Sequence, residues 1–129
     1  MQTLLKERFL VVEVDSSKKL MLQTWKGFCN SEELRTAHKK CINLFKENDC
    51  KSLVCDTKEA SVLKQEDTEW VAENVTPALA NAGLTALNFV VPASAFAKMS
   101  VKNLEESEKK SGLVKVNYYS SKEEAMNNL

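Results

Sequence analysis

The 129-residue sequence has few residues that interrupt helices and strands, and it has no net charge. Both features restrict the structural class of the protein. It holds only 3 Gly and 2 Pro, which excludes collagen-like chains and Gly- or Pro-rich disordered chains. Its 18 basic residues balance 18 acidic ones, so it has no overall positive field to hold nucleic acid or anionic lipid. We therefore expect a globular protein, and the length suits one compact domain over residues 1 to 129.

The sequence opens without an uninterrupted hydrophobic leader. Lys6, Glu7 and Arg8 break the apolar residues of the first segment, unlike a secretory signal peptide, so we expect a cytoplasmic protein. Residues 74 to 97 carry no charge and are long enough to span a bilayer. Polar residues and prolines punctuate that stretch, however, and such groups are costly in lipid. We therefore expect no stable membrane insertion.

The usual ligands of a metal site are also missing. The four cysteines, Cys29, Cys41, Cys50 and Cys55, form no CxxC pair, and His38 is the only histidine. One imidazole does not complete a usual zinc set, and a disulfide framework does not suit a reducing cytoplasm. The sequence therefore predicts neither a metal nor another cofactor, and the thiols are interpreted as core or surface residues.

Strand and helix patterns alternate in the first half of the sequence. Residues 8 to 14 and 19 to 25 are rich in branched and aromatic side chains and flank the turn-forming DSSK, which predicts an antiparallel hairpin. Asn30 with Glu33 three residues later is a capping-box pattern, and apolar residues then recur at helical spacing. A short apolar strand from 51 to 56 follows.

The alternation continues in the second half. QEDTEW at 65 to 70 opens a second helix whose early acids, Asp67 among them, suit the positive end of the helix dipole. Pro77 either kinks this helix, or Thr76 caps a second short helical piece that begins at Pro77. The apolar run from 84 to 91 predicts a buried strand.

The remaining elements are a third helix, a last strand and a final helix. We expect the third helix at about 94 to 109 and the strand at 113 to 119, while Ser121 with Glu124 predicts a capped helix at the end. The order ββαβαβαβα predicts an α/β fold with a mixed, mostly parallel sheet of about five strands and four helices. The helices between the later strands can serve as right-handed crossovers.

Several short stretches resemble one known family. They are WKGF at 25 to 28, LVCDT at 53 to 57, QEDTEW at 65 to 70, the Pro77, Gly83 and FVVP series, FAKMSVKN at 96 to 103 and the closing SKEEAMNNL. Over nearly its whole length the chain resembles the bacterial SpoIIAA-like proteins, often labelled STAS or SEC14 domain-containing proteins, particularly a small stand-alone Bacteroidetes type. The resemblance implies a mixed, mostly parallel sheet with helices wound around it.

One motif of that superfamily is missing. In its anti-sigma-factor antagonists, a partner kinase phosphorylates a serine in a DSSG-like turn, whereas residues 60 to 64 read ASVLK here. This departure argues against a kinase switch. Asp56, Thr57 and Ser61 remain candidates for phosphorylation or for a loop site, because α/β folds bind ligands at the carboxyl ends of parallel strands. The alternative is that Asp56 and Thr57 hydrogen-bond their own turn and end the strand.

Aromatic side chains supply a second set of candidates. Trp25 and Trp70 either belong to the core or near-core, or line an apolar pocket together with Phe28 and Phe89. The SEC14 side of the resemblance suggests a fatty acyl chain or a similar apolar ligand for such a pocket.

The third helix carries another candidate surface. Phe96 and Met99 lie off the apolar stripe of that helix. They either widen its core face or form a patch for protein contacts or for a lid over a ligand.

No catalytic signature accompanies these candidates. The sequence contains no recognisable Ser-His-Asp or Cys-His-Asn set, so we expect no enzyme, and His38 with Cys41 is the remaining catalytic alternative. The preferred hypothesis is a regulatory or protein-interaction domain that acts through residues 56 to 64 and 94 to 103, with another protein or a second copy as its partner. The alternative hypothesis is a carrier or sensor of a small apolar ligand.

Overall fold

A computed structural model of the chain describes residues 1 to 61, 63 to 90 and 114 to 128. These residues form an α/β fold with a six-stranded mixed sheet, so the predicted α/β class is confirmed. The strands are β1 (Gln2–Glu7), β2 (Leu10–Asp15), β3 (Leu20–Gly27), β4 (Ser52–Ala60), β5 (Ala86–Val90) and β6 (Lys115–Tyr119). The helices are α1 (Ser31–Glu47), α2 (Gln65–Asn74), α3 (Thr76–Asn81) and α4 (Lys122–Asn127).

The six strands lie side by side in chain order. β1, β2 and β3 pair antiparallel, whereas β3, β4, β5 and β6 pair parallel. Right-handed crossovers between parallel strands in sequential order all fall on one face of the sheet. Residues of α1, α2 and α3 accordingly share one apolar cluster with β2 and β3. Helix α4 instead contacts β4, β5 and β6 and packs with a second cluster that contains Leu20, Leu22 and Val54.

Strand β1 corrects the predicted count of about five strands. Residues 2 to 7 form an edge strand paired only with β2 among the described residues. Its two apolar residues, Leu4 and Leu5, are adjacent and only half-buried, so the segment lacks the alternation that identifies a strand in sequence. Backbone pairing with β2 holds this strand in place, and the residue types of the segment do not reveal that pairing.

Strand β4 runs past its predicted end at Asp56. It continues to Ala60, and its register with β3 shifts, because Thr24 pairs with Asp56 while Lys26 pairs with Glu59. Two steps along β3 therefore face three steps along β4, which is the geometry of a β-bulge. The expectation that Asp56 and Thr57 end the strand is wrong, since both lie inside it.

The cap of α1 is confirmed. The Asn30 side chain accepts a hydrogen bond from the Glu33 N–H at 2.8 Å, and the Glu33 carboxylate accepts one from the Asn30 N–H at 3.0 Å. Similarly, the Ser121 hydroxyl accepts a bond from the Glu124 N–H at 3.1 Å and caps α4. Both caps depend on residues three positions apart, which is why the sequence alone predicts them.

The helical segment around Pro77 is divided in two. Helix α2 ends at Asn74, and α3 begins at Thr76 with Pro77 in its first turn. The second of the two alternatives is therefore right, except that Thr76 is the first helical residue and no side chain caps α3. The predicted helix at 94 to 109 lies outside the described residues.

Candidate functional site

The carboxyl ends of β3 and β4 meet at one edge of the sheet, where Gly27 pairs with Ala60. Gly27 has a φ of 61°, in the left-handed region that favours glycine, and it turns the chain toward α1. The Ser61 N–H donates to the Gly27 carbonyl at 2.9 Å. Arg8 donates to the Phe28 carbonyl at 2.9 Å. The loop is therefore held from two sides.

Phe28 is the prominent side chain of this loop. Its exposed fraction is 59%, although its backbone is fixed by the bond from Arg8. We refer to Arg8, Gly27, Phe28 and Ser61 together as the carboxyl-edge surface. Sequence reasoning identified Phe28 as a candidate pocket residue, and the structure places it in solvent instead.

Asp56, Thr57 and Ser61 occupy three different environments. Asp56 is buried, with 9% exposure, and accepts a local hydrogen bond from the Lys58 N–H at 3.2 Å, although within β4 rather than in a turn. Thr57 donates its hydroxyl to the Val90 carbonyl at 3.2 Å and thereby joins β4 to β5. Ser61 alone of the three is exposed. The first two side chains therefore hold the bulge in shape, and Ser61 belongs to the carboxyl-edge surface.

Trp25 lies in the core. Its indole N–H donates to the Gln23 side chain at 3.0 Å, and its ring packs against His38 at 4.9 Å and against Phe9 at 6.3 Å between centroids. A buried indole needs a partner for its N–H, and Gln23 supplies it from the same strand. The core interpretation therefore describes Trp25.

The other aromatic candidates are dispersed. Trp70 is half-buried, with the Arg35 guanidinium 5.1 Å from its ring centroid, and Phe89 is buried and stacks on Tyr118. Phe96 and Met99 lie outside the described residues. Of the four aromatics of the predicted pocket, Trp25 and Phe89 thus belong to the core, Trp70 packs against it and Phe28 is exposed.

A cleft of about 230 Å³ opens between the β1–β2 turn and α1. It is lined by Glu7, Phe9, Glu32, Glu33, Thr36, Ala37 and Lys40. None of the predicted site residues is among these. The reason is topological, because only the sheet order brings the end of β1 beside α1.

A buried polar cluster joins the starts of α1 and α2. Asp67 is 4% exposed and accepts a hydrogen bond from the Ser31 hydroxyl at 2.9 Å, while Arg35 approaches the other carboxylate oxygen at 3.6 Å. Arg35 also covers Trp70. The sequence indicated Asp67 only as an acid in a first helical turn, and no signal in it links position 67 to position 31.

His38 and Cys41 of α1, and Cys29 just before that helix, lie where burial does not favour catalysis. Burial raises the pKa of the Cys41 thiol to about 12, and burial lowers the pKa of His38 to about 4. Burial, followed by the negative charges of Glu33 and Asp67, also raises the pKa of Cys29. A nucleophilic cysteine needs the opposite setting, in which positive charge favours the thiolate.

Across the three described ranges, no group of three or more His, Cys, Asp or Glu side chains is arranged to hold a metal ion. In the same part of the chain, no helix is both long enough and apolar enough to cross a membrane.

Comparison with known proteins assigns no family. No family model matches the chain, and no curated protein matches it. The proposals for its function consequently rest on the resemblance of its short motifs and on the geometry described above.

Proposed function

We propose that the protein is a non-enzymatic regulatory or protein-interaction domain of the SpoIIAA-like (STAS) type, and that it binds a partner protein through the carboxyl-edge surface. The observation that carries the proposal is the 59% exposure of Phe28 on a loop whose backbone is hydrogen-bonded to Arg8 and Ser61 on either side. Aromatic side chains are frequent anchors of protein interfaces. The α/β architecture supports the assignment at the level of fold class.

Residues around Phe28 supply the polar rim that interfaces require. The Arg8 side chain is 64% exposed and pairs with Glu33 at 3.0 Å, and the exposed Glu59 neighbours Lys26 across the β3–β4 pair. Loops that a rigid scaffold positions commonly carry binding residues. Another protein and a second copy of this chain are both suitable partners.

The second hypothesis, a carrier of a small apolar ligand, receives less support. It required Trp25, Phe28, Trp70 and Phe89 to line one pocket. Trp25 and Phe89 instead pack within the core, and Phe28 points into solvent.

Site-specific photo-crosslinking tests the proposal. Phe28 is replaced by p-benzoylphenylalanine, which keeps an aromatic side chain, and the protein is irradiated in its native cells. We expect one dominant crosslinked partner by mass spectrometry, with a self-crosslink indicating a second copy. Excess wild-type protein should suppress this product, whereas Phe28→Ala should compete about 30-fold less well, since truncation of an interface anchor costs about 2 kcal/mol.

The same probe at Asn43 is the matched control, because this residue is exposed on α1. It should give no such product. Equal crosslinking at both positions, or no specific product at position 28, would contradict the proposed surface.

A further inference from the structure

We propose that β1, which is an edge strand of the described sheet, binds an extended segment of a partner protein as an added strand, and that a Lys or Arg side chain of this segment enters the cleft beside α1. The proposal rests on the proposed function, namely that the protein acts by binding other proteins. It adds a second surface, which adjoins the carboxyl-edge surface through the Arg8–Glu33 ion pair, and specifies the chemistry of the partner.

The edge of the sheet provides the backbone part of the site. β1 is the terminal strand of the described sheet, and an edge strand presents N–H and C=O groups that can pair with another chain. Strand addition to such an edge is a recurrent mode of peptide recognition. The register between β1 and β2 shifts between Thr3 and Leu5, so the regular part of the edge is the stretch from Leu5 to Glu7.

The faces of β1 determine where the side chains of an added strand would lie. Leu5 pairs with Val12 and Glu7 pairs with Leu10, and both partners are buried in the apolar cluster that α1 shares. Lys6 is exposed and lies on the opposite face, because successive residues of a strand alternate. An added strand thus places one side chain beside Glu7 on the α1 face and the next beside Lys6 on the other face.

The cleft next to Glu7 has the size and surface for one long basic side chain. Its volume of about 230 Å³ is below the roughly 300 to 1,000 Å³ of small-molecule pockets. Phe9 and Ala37 contribute buried apolar surface, on which the methylene stem of Lys or Arg can pack while its charged head stays at a polar rim.

The charges of the rim select a cation. Glu33 is paired with Arg8 at 3.0 Å, and Glu7 is paired with Lys40 at the longer distance of 3.7 Å. Glu32, which also lines the cleft, has no ion-pair partner among the described side chains. An incoming ammonium or guanidinium group would satisfy Glu32 and compete for Glu7.

These neighbours predict the sequence pattern of the partner. Oppositely charged side chains stabilise two strands when they face each other directly. We therefore expect a basic residue opposite Glu7 and an acidic residue opposite Lys6, with an apolar residue opposite Leu5. In the antiparallel direction this pattern reads Lys-Asp-Val along the partner.

Binding of synthetic peptides tests the proposal. The probe is a fluorescent ten-residue peptide of alternating Thr and Val with Lys-Asp-Val at its centre, and the comparison peptide carries Asp-Lys-Val. Fluorescence anisotropy with the full chain should show at least 10-fold tighter binding of the first peptide.

The double variant Lys6→Glu/Glu7→Lys should reverse this preference for the first peptide. The control variant Lys46→Glu/Glu47→Lys makes the same exchange at exposed positions of α1 and should leave the preference unchanged. Equal binding of both peptides, or no binding of either, overturns the proposal.

N-methylation of the peptide tests strand addition without altering the protein. Methyl groups on alternate amides block hydrogen bonding along one edge of an extended peptide and leave the other edge intact. We expect one of the two possible methylated peptides to lose at least 10-fold in affinity and the other to retain its affinity. Loss in both, or in neither, overturns strand addition. Crosslinking from position 28 is a separate readout, so a failed peptide assay with a specific crosslink would reject this inference and keep the proposed function.

Discussion

His38 illustrates how burial sets the behaviour of a single residue. It packs on Trp25, its Nδ1 atom is buried without a hydrogen-bond partner in the described structure, and burial lowers its pKa from 6.5 to about 4. The unfolded chain therefore binds a proton near pH 6.5, whereas the folded chain does not until near pH 4. Stability that is present above pH 6.5 is lost as the pH falls through this window.

We predict that a His38→Gln variant will lose less stability in acid than the wild-type protein. Between pH 7.5 and pH 4.5 the additional loss for the wild type should be on the order of 2 kcal/mol, from the difference between the folded and unfolded pKa values. Urea unfolding at the two pH values measures the loss of free energy of unfolding of each protein, and the losses of the wild type and the variant are then compared. Equal losses in the two proteins would show that His38 does not titrate as its burial requires.

Single residues were partly predictable where their partners are close in sequence. Asp56 bonds to a group two residues away, as a turn-forming acid commonly does. Thr57 bonds to Val90, 33 positions away, and only the pairing of β4 with β5 makes that bond available. Phe28 was recognised as a candidate residue, but its exposure depends on the loop around it, which sequence spacing does not describe.

At the scale of elements, the buried carboxylate of Asp67 in α2 connects to Ser31 and Arg35 of α1. Ser31 donates to Asp67 at 2.9 Å, and Arg35 lies 3.6 Å from the same carboxylate with 37% of its side chain exposed. A buried carboxylate that loses its partner is costly, while a partly exposed guanidinium can still reach water. We infer that Asp67 is the main contributor to this contact between the helices.

We predict that Asp67→Ala lowers the free energy of unfolding by about 2 kcal/mol and Ser31→Ala by about 1 kcal/mol, from the usual cost of leaving a buried hydrogen-bonding group unpaired. The double variant should lose less than the sum of the two single losses, because both remove the same bond. Chemical denaturation of the four proteins measures this coupling.

Glu66→Ala is the control for this cycle, since Glu66 is exposed in the same turn of α2 and should change the free energy of unfolding by less than about 0.5 kcal/mol. Additive losses in the double variant would mean that Ser31 and Asp67 do not act together.

At the scale of the whole molecule, the centre of the sheet is enclosed on both faces. Leu20 and Val54 are fully buried and Leu22 is nearly so. These residues of β3 and β4 lie in the cluster that contains Ala125 of α4, while neighbouring residues face the cluster that α1 shares. β1 has a strand on one side only in the described sheet and exposed or half-buried side chains.

We therefore predict a gradient of hydrogen exchange across the sheet. Amides of β3 and β4 should exchange only through global unfolding, whereas those of β1 should exchange through local opening and be less protected by about 100-fold or more. Native-state exchange followed by NMR measures each amide. Equal protection of β1 and β3 would indicate that the edge strand opens only with the whole sheet, and would weaken its proposed availability to an added strand.

The sequence by itself determined the features that depend on neighbouring residues. The hairpin of β2 and β3, the caps of α1 and α4 and the α/β class follow from periodicity and local hydrogen bonding, whereas at Pro77 the sequence leaves a kink and a break as alternatives. The tertiary structure alone decided which distant residues meet. The addition of β1 to the sheet edge, the bulge in β4, the bond between Ser31 and Asp67 and the cleft beside Glu7 depend on strand order and helix packing. Such contacts join groups that are far apart along the chain, and no local pattern in the sequence encodes their pairing.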